Sequence, residues 1–141
     1  MPIDHDRLFK ELLTIFFTDF IALFRPELHT WLAPDSVVFL DKEIFTDILD
    51  GDRHEADLVA TVRCKGEAAC FLVHIETQAK RQPDFARRMF KYFARLHEKH
   101  GLPVYPIAVL SYDTPSTPEP DRYSVAFPTG RCWRSASVPC N

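Results

Sequence analysis

Residues 68–78 read Ala-Ala-Cys-Phe-Leu-Val-His-Ile-Glu-Thr-Gln, and no other segment restricts the fold as much. Side chains alternate across a strand. One parity holds Cys70, Leu72, His74, Glu76 and Gln78, and the other holds Phe71, Val73, Ile75 and Thr77. Both parities are apolar over most of the length, so a strand here needs cover on both faces. That requires a sheet sandwiched between helical layers. Glu76 sits at the far end of this covered strand, where a carboxylate is costly unless it is paired or bound to a metal.

The flanking sequence supplies the layers. Lys65-Gly66-Glu67 is a turn signal, so residues 56–64 form a strand antiparallel to 68–78. Residues 37–40 read as another short strand, and 41–55 as a polar, acidic stretch with a turn signal at Asp50-Gly51. Residues 4–24 read as one amphipathic helix, with Asp4 or Asp6 able to cap its start. Leu8, Leu12, Phe16, Phe20 and Leu23 recur at helical spacing, widened by Phe9, Leu13, Phe17 and Phe24. A face this wide implies burial on more than one side. Arg25-Pro26 ends the helix, because the residue before proline is pushed out of helical geometry.

Residues 83–100 form a second helix, with Pro83 at its first position and Gly101 just past its end. Its apolar stripe is Phe85, Met89, Tyr92, Phe93 and Leu96. Residues 103–111 are a further strand, and a helical connection makes it parallel to 68–78. Residues 113–121 are a Pro-rich loop, and 123–127 suit a fifth strand. Residues 128–141 show no clear period and read as an irregular, truncated tail. The expected architecture is α/β: a mixed sheet flanked by helices, in one domain over residues 1–127.

Composition excludes several classes. With 17 basic and 20 acidic side chains in 141 residues, the net charge of −3 is not that of a globally basic nucleic-acid binder. The longest apolar run, 15–24, is broken by Thr18 and Asp19 and falls short of the roughly 20 residues a membrane span needs. The acidic N-terminus is no signal peptide, which makes a cytoplasmic location the default. Cys64, Cys70, Cys132 and Cys140 show no metal-binding or redox spacing. Reduced thiols are expected, although Cys64 and Cys70 flank the turn and could face one another.

Folding the hairpin brings in the chemistry. A two-residue turn sets Asp57 opposite His74, and a loop two residues longer sets it opposite Glu76. Either register puts Asp57 and Glu76 on one face, with facing Cβ atoms about 5 Å apart. Two such carboxylates repel unless positive charge lies between them. A hard cation such as Mg²⁺ accepts one or two carboxylates and keeps several waters. It can polarise a phosphoryl oxygen and generate a nucleophile. The plainer alternative is a pair of solvated strand-end charges. His74 lies on the same face, either as a partner behind the metal ligands or as a satisfied core histidine.

Charge is also segregated. Residues 35–57 hold eight acids and two bases, and residues 80–100 hold seven bases and two acids. Arg87, Arg88, Lys91 and Arg95 share one side of the second helix and could meet successive phosphates. A wet helix face is the alternative for such a stripe.

These pieces occur together in a recognisable order. They are His5-Asp-Arg-Leu-Phe-Lys-Glu-Leu-Leu, Phe39-Leu-Asp-Lys-Glu-Ile-Phe-Thr-Asp, Glu55-Ala-Asp-Leu-Val-Ala, and His74-Ile-Glu-Thr-Gln followed by Arg88-Met-Phe-Lys-Tyr. The run from Asp4 to Phe127 resembles the PD-(D/E)XK nuclease family transposases, the group of recombination-promoting nucleases and YhgA-like transposases. The resemblance implies a restriction-endonuclease-like mixed sheet with an αβββαβ core and Mg²⁺-dependent cleavage of DNA. Carried over by position, Asp57 and Glu76 are the metal-binding acids. Gln78 stands where the wider superfamily has Lys, and would position water or substrate. Arg87, Arg88 and Lys91 would contact DNA phosphates, with Glu11 as a supporting acid. A glutamine supplies no positive charge, so Lys80 or Lys42 is expected to supply it. The departures at Gln78 and in the tail leave a second expectation open, a catalytically inactive remnant that binds DNA or a partner.

Overall fold

The computed structural model describes residues 5–33, 35–40, 44–46, 53–55, 57–66, 71–78, 80–111, 122–126, 128, 132–136 and 138–140. Its centre is a mixed sheet flanked by helices. The helices are α1 (His5–Ile15), α2 (Phe17–Phe24), α3 (Pro26–Trp31) and α4 (Phe85–His100). The main sheet contains β1 (Val38–Phe39), β4 (Leu58–Val62), β5 (Phe71–Gln78) and β6 (Val104–Leu110), in the order β1-β4-β5-β6. β9 (Val138–Cys140) adds at the β6 edge. Two separate hairpins pair β2 (Ile44–Thr46) with β3 (Arg53–Glu55), and β7 (Arg122–Ala126) with β8 (Cys132–Ala136).

β5 is central and covered on both faces, as its two apolar parities require. Val73 and Ile75 join Leu13, Phe17, Ile21 and Leu28 in one core layer beneath α1–α3. Leu72 joins Tyr92, Leu96, Val59 and Val104 in the opposite layer beneath α4. β4 pairs antiparallel with β5, with Leu58 facing Ile75 and Val59 facing His74. This is the longer-loop register. β6 runs parallel to β5, with Glu76 facing Ala108 and Gln78 facing Leu110.

α4 follows its sequence signals at its C-terminus and along its stripe, but it starts at Phe85 with Asp84 as N-cap, so Pro83 precedes the helix and does not occupy its expected first position. Its buried residues are Phe85, Met89, Tyr92 and Leu96, one stripe at spacings of three and four. Gly101 adopts φ 65°, ψ 17°, and its N–H closes the helix on the His97 carbonyl at 2.8 Å. Glycine takes this left-handed conformation without the steric cost a Cβ would add. Since α4 leaves β5 after Gln78 and returns to β6 at Val104, its N-terminal turns lie at the C-terminal end of β5.

The N-terminal region departs from the expected single helix. It breaks at Phe16 (φ −107°, ψ 24°), although Phe16 N–H still bonds the Leu12 carbonyl at 2.9 Å. Arg25 (φ −140°, ψ 64°) separates α2 from α3, and Pro26 opens α3 at its first turn. Proline disfavours helix in the residue before it but suits a helix start. The buried stripe is Leu13, Phe17 and Ile21, not Leu8, Leu12, Phe16 and Leu23, which are all exposed. α1 and α2 meet the core on one side only. Phe17 fixes that side, with its ring edge-on to Phe39 of β1 at 5.5 Å.

Two further expectations change. The acidic stretch 41–55 contains the β2–β3 hairpin, and its Asp50-Gly51 turn lies outside the described residues. The tail, read as irregular, contributes β8 and β9, with β9 parallel to β6. Cys64 is in no disulfide among the described residues, and Cys70 lies outside them. The Pro-rich loop is likewise outside them. Among the described residues, no helix is long and apolar enough to cross a membrane.

Leu96 is fully buried and Leu23 is 73% exposed. Leu96→Ala is expected to cost about 2–5 kcal/mol, whereas Leu23→Ala stays within about 0.5 kcal/mol. Urea denaturation of both variants checks the layer assignment. Equal losses would mean that α2 buries its other side.

Candidate active site at the end of β5

The β4–β5 register, continued one step beyond Leu58–Ile75, brings Asp57 across from Glu76. The two residues touch. The Asp57 backbone N–H donates to Glu76 Oε1 at 3.0 Å. Asp57 sits in a bend before β4, so its amide is released from the ladder and can meet a side chain.

Glu76 is only 3% exposed. A carboxylate this deep must be answered by donors. Besides the Asp57 amide, His74 Nε2 lies 2.9 Å from Oε1. An ionised Glu76 requires a proton on Nε2 for this contact. Among the described residues, Nδ1 is buried without a hydrogen-bond partner. The imidazole is held edge-on to Tyr92 of α4, with ring centroids 5.2 Å apart. Both hydrogen bonds to Glu76 fall on Oε1. Among the described residues, Oε2 accepts none.

The Asp57 carboxylate turns differently. Its Oδ2 accepts the Thr77 backbone N–H at 2.7 Å and the Thr77 hydroxyl at 2.9 Å. Its Oδ1 faces Lys10 Nζ at 3.3 Å. Thr77 alternates to the face that α1–α3 cover, and Lys10 belongs to α1. Glu76 and His74 belong to the face that α4 covers. The acids therefore meet across the end of the strand pair and draw donors from both helical layers. Strand parity on its own has them side by side on one face. The difference arises because Asp57 lies past the last paired residue, where alternation no longer governs its direction.

The other expected residues are distributed as follows. Gln78 donates from Nε2 to the Thr77 carbonyl at 2.8 Å and is half-buried beyond Glu76. Glu11 is exposed and paired with Arg7 at 3.0 Å, one turn earlier on α1. Consecutive helical residues diverge by about 100°, so its neighbour Lys10 faces Asp57 while Glu11 faces away. Lys80 is exposed, and Lys42 lies outside the described residues. Arg87 and Lys91 are exposed on the first turns of α4. Arg88 is half-buried, bonds Gln82 Oε1 at 2.6 Å and lies over the Phe85 ring at 5.4 Å. The bases of α4 are not among the groups bonded to either acid.

Lys10 is the residue that sequence reasoning missed. One lysine on an amphipathic helix carries no signal of what it will face. Only the docking angle of α1 brings it to Asp57.

Among the described residues, no three His, Cys, Asp or Glu side chains converge as a metal-binding group. A cation here would rest on the two carboxylates and water, a donor set that suits Mg²⁺. A groove of about 390 Å³, lined by Leu28, Trp31, Phe71 and Tyr105 among others, lies at the opposite end of the sheet. No family model, curated protein or solved structure matches the chain.

Asp57→Ala removes the acceptor of two Thr77 hydrogen bonds and is expected to cost about 1–3 kcal/mol. Lys10→Ala loses a partly exposed ion pair, worth about 1 kcal/mol or less. Urea midpoints rank the two. A larger loss for Lys10→Ala would show that the ion pair, not the Thr77 clasp, holds Asp57.

Proposed function

We propose that this chain is a Mg²⁺-dependent endonuclease that hydrolyses phosphodiester bonds in DNA. One contact carries the reading: the Asp57 amide on the Glu76 carboxylate, which joins acids from adjacent strands beside the first turns of α4. The residues suit a hard cation. Glu76 Oε2 is not committed to a donor among the described residues, and Asp57 Oδ1 has an ammonium rather than the backbone as its partner. Mg²⁺ bound there would polarise a phosphoryl oxygen and offset the charge that builds up in the transition state.

The chain's own groups do the rest. His74 holds Glu76 by Oε1, which fixes the carboxylate while leaving Oε2 available. Thr77 holds Asp57 by Oδ2 in the same way. Gln78, at the end of β5, offers an amide to water or substrate once it leaves the Thr77 carbonyl. Arg87, Arg88 and Lys91 bind the DNA backbone, where basic side chains position without reading sequence. Hydrolysis joins a water oxygen to phosphorus and breaks the bond to the leaving sugar oxygen, which takes up a proton. The likeness to PD-(D/E)XK transposases points to the same chemistry.

A second reading has its own support. Both carboxylates engage internal donors from opposite layers, and the Gln78 amide is turned onto Thr77. That arrangement fits a remnant that binds DNA or a partner without cutting.

Plasmid nicking separates the two. The native chain is expected to nick supercoiled DNA with Mg²⁺ and not with EDTA, and Asp57→Ala to lose at least a hundredfold in rate. DNA binding without nicking would select the remnant. Removing Arg87 or Lys91 should reduce the salt dependence of DNA affinity by about one unit of log–log slope per base. An unchanged slope would remove α4 from the interface.

A further inference from the structure

We infer that Lys10 is the positive charge of the catalytic centre. It holds the cation position on Asp57 before Mg²⁺ binds and turns to the scissile phosphate afterwards. This rests on the reading of Asp57 and Glu76 as cation ligands.

The electrostatic demand comes first. Two carboxylates and an incoming phosphodiester are all anionic, and hydrolysis adds charge to the phosphoryl oxygens. A fixed donor or positive group beside those oxygens lowers the barrier. Among the described residues, which do not include Lys42, few groups near the acids can supply it. Gln78 is neutral, so its amide supplies a hydrogen bond but no positive charge. His74 is wholly buried, with Nε2 on Glu76. Lys80 is exposed and is not bonded to either acid. Lys10 is bonded to Asp57, at 3.3 Å from Oδ1.

Its setting suits a movable charge. Lys10 is 30% exposed at the side chain and Asp57 18%, so the pair lies at the mouth of the site. Oδ2 stays with Thr77 whatever Lys10 does. Lysine is a compact charge on a flexible four-carbon stem. A divalent cation at Oδ1 would displace the ammonium by repulsion, and an adjacent phosphate would receive it. Lys10 touches the substrate's phosphoryl oxygen as a hydrogen-bond donor, and no proton leaves it.

This sets opposite signs on binding and rate, which a purely structural lysine would not. Removing Lys10 takes away the competitor for the cation and the donor for the phosphate. Isothermal titration of Mg²⁺ into Lys10→Met, with no DNA present, is expected to show roughly threefold to tenfold tighter binding than the native chain. Nicking by the same variant should slow by roughly a hundredfold in kcat. Lys10→Arg keeps the charge and should return both values most of the way to native. Mg²⁺ binding that is unchanged or weaker in Lys10→Met would overturn the proposal, as would unchanged nicking. A native chain that neither binds Mg²⁺ nor nicks DNA would instead overturn the assignment of Asp57 and Glu76, and this inference with it. Lys10→Gln, run in parallel with circular dichroism, guards against a folding defect confined to the methionine variant.

Discussion

The structure depends on how a nearly buried carboxylate is answered. Glu76 ends a strand covered by helices on both faces, and water cannot reach it freely. Two donors, the Asp57 amide and the His74 imidazole, converge on one of its oxygens. Each contact imposes a condition elsewhere. The Asp57 contact needs the β4–β5 register that pairs Leu58 with Ile75. The His74 contact needs Tyr92 of α4 against the imidazole ring. Register and helix docking are thus tied to one polar group. Removing a single partner from such a buried pair is severely destabilising, so the arrangement also makes alternative pairings of these strands costly.

Much of this was legible from residue order. Pro83 and Gly101 bracket α4, and its stripe from Phe85 to Leu96 has no rival period. The double-sided apolar pattern of β5 demanded two layers and has them. Asp57 and Glu76 were paired by counting across the hairpin. Three features were not legible. α1 and α2 are apolar on more than one side, so periodicity proposed Leu12 and Phe16 together with Leu13 and Phe17, and the core takes only the latter two. The acidic composition of residues 41–55 concealed a hairpin whose pairing lies in backbone rather than in side-chain alternation. β9 pairs with β6 about thirty residues away, and no local pattern reports so distant a partner.

The candidate site divides along the same line. The residues on β5 and the register that sets Asp57 across from Glu76 follow from strand geometry, whereas the direction of the Asp57 carboxylate, toward the α1 side, does not. Residues on α1 depend on how that helix is rotated, and one step in sequence separates Lys10 on Asp57 from Glu11 on Arg7. The arrangement of the candidate site is therefore set by two independent choices, one of strand register and one of helix azimuth.

The second choice has a consequence for how the chain reaches its native state. Leu12, Phe16 and Leu23 on the outer side of α1–α2 offer an apolar surface much like the inner one. That outer surface stays exposed, while on the inner side Phe17 packs edge-on to Phe39 and Lys10 meets Asp57. An aromatic contact and a weak ion pair thus agree on one azimuth, and such agreement between levels of interaction is what steers a chain away from competing arrangements.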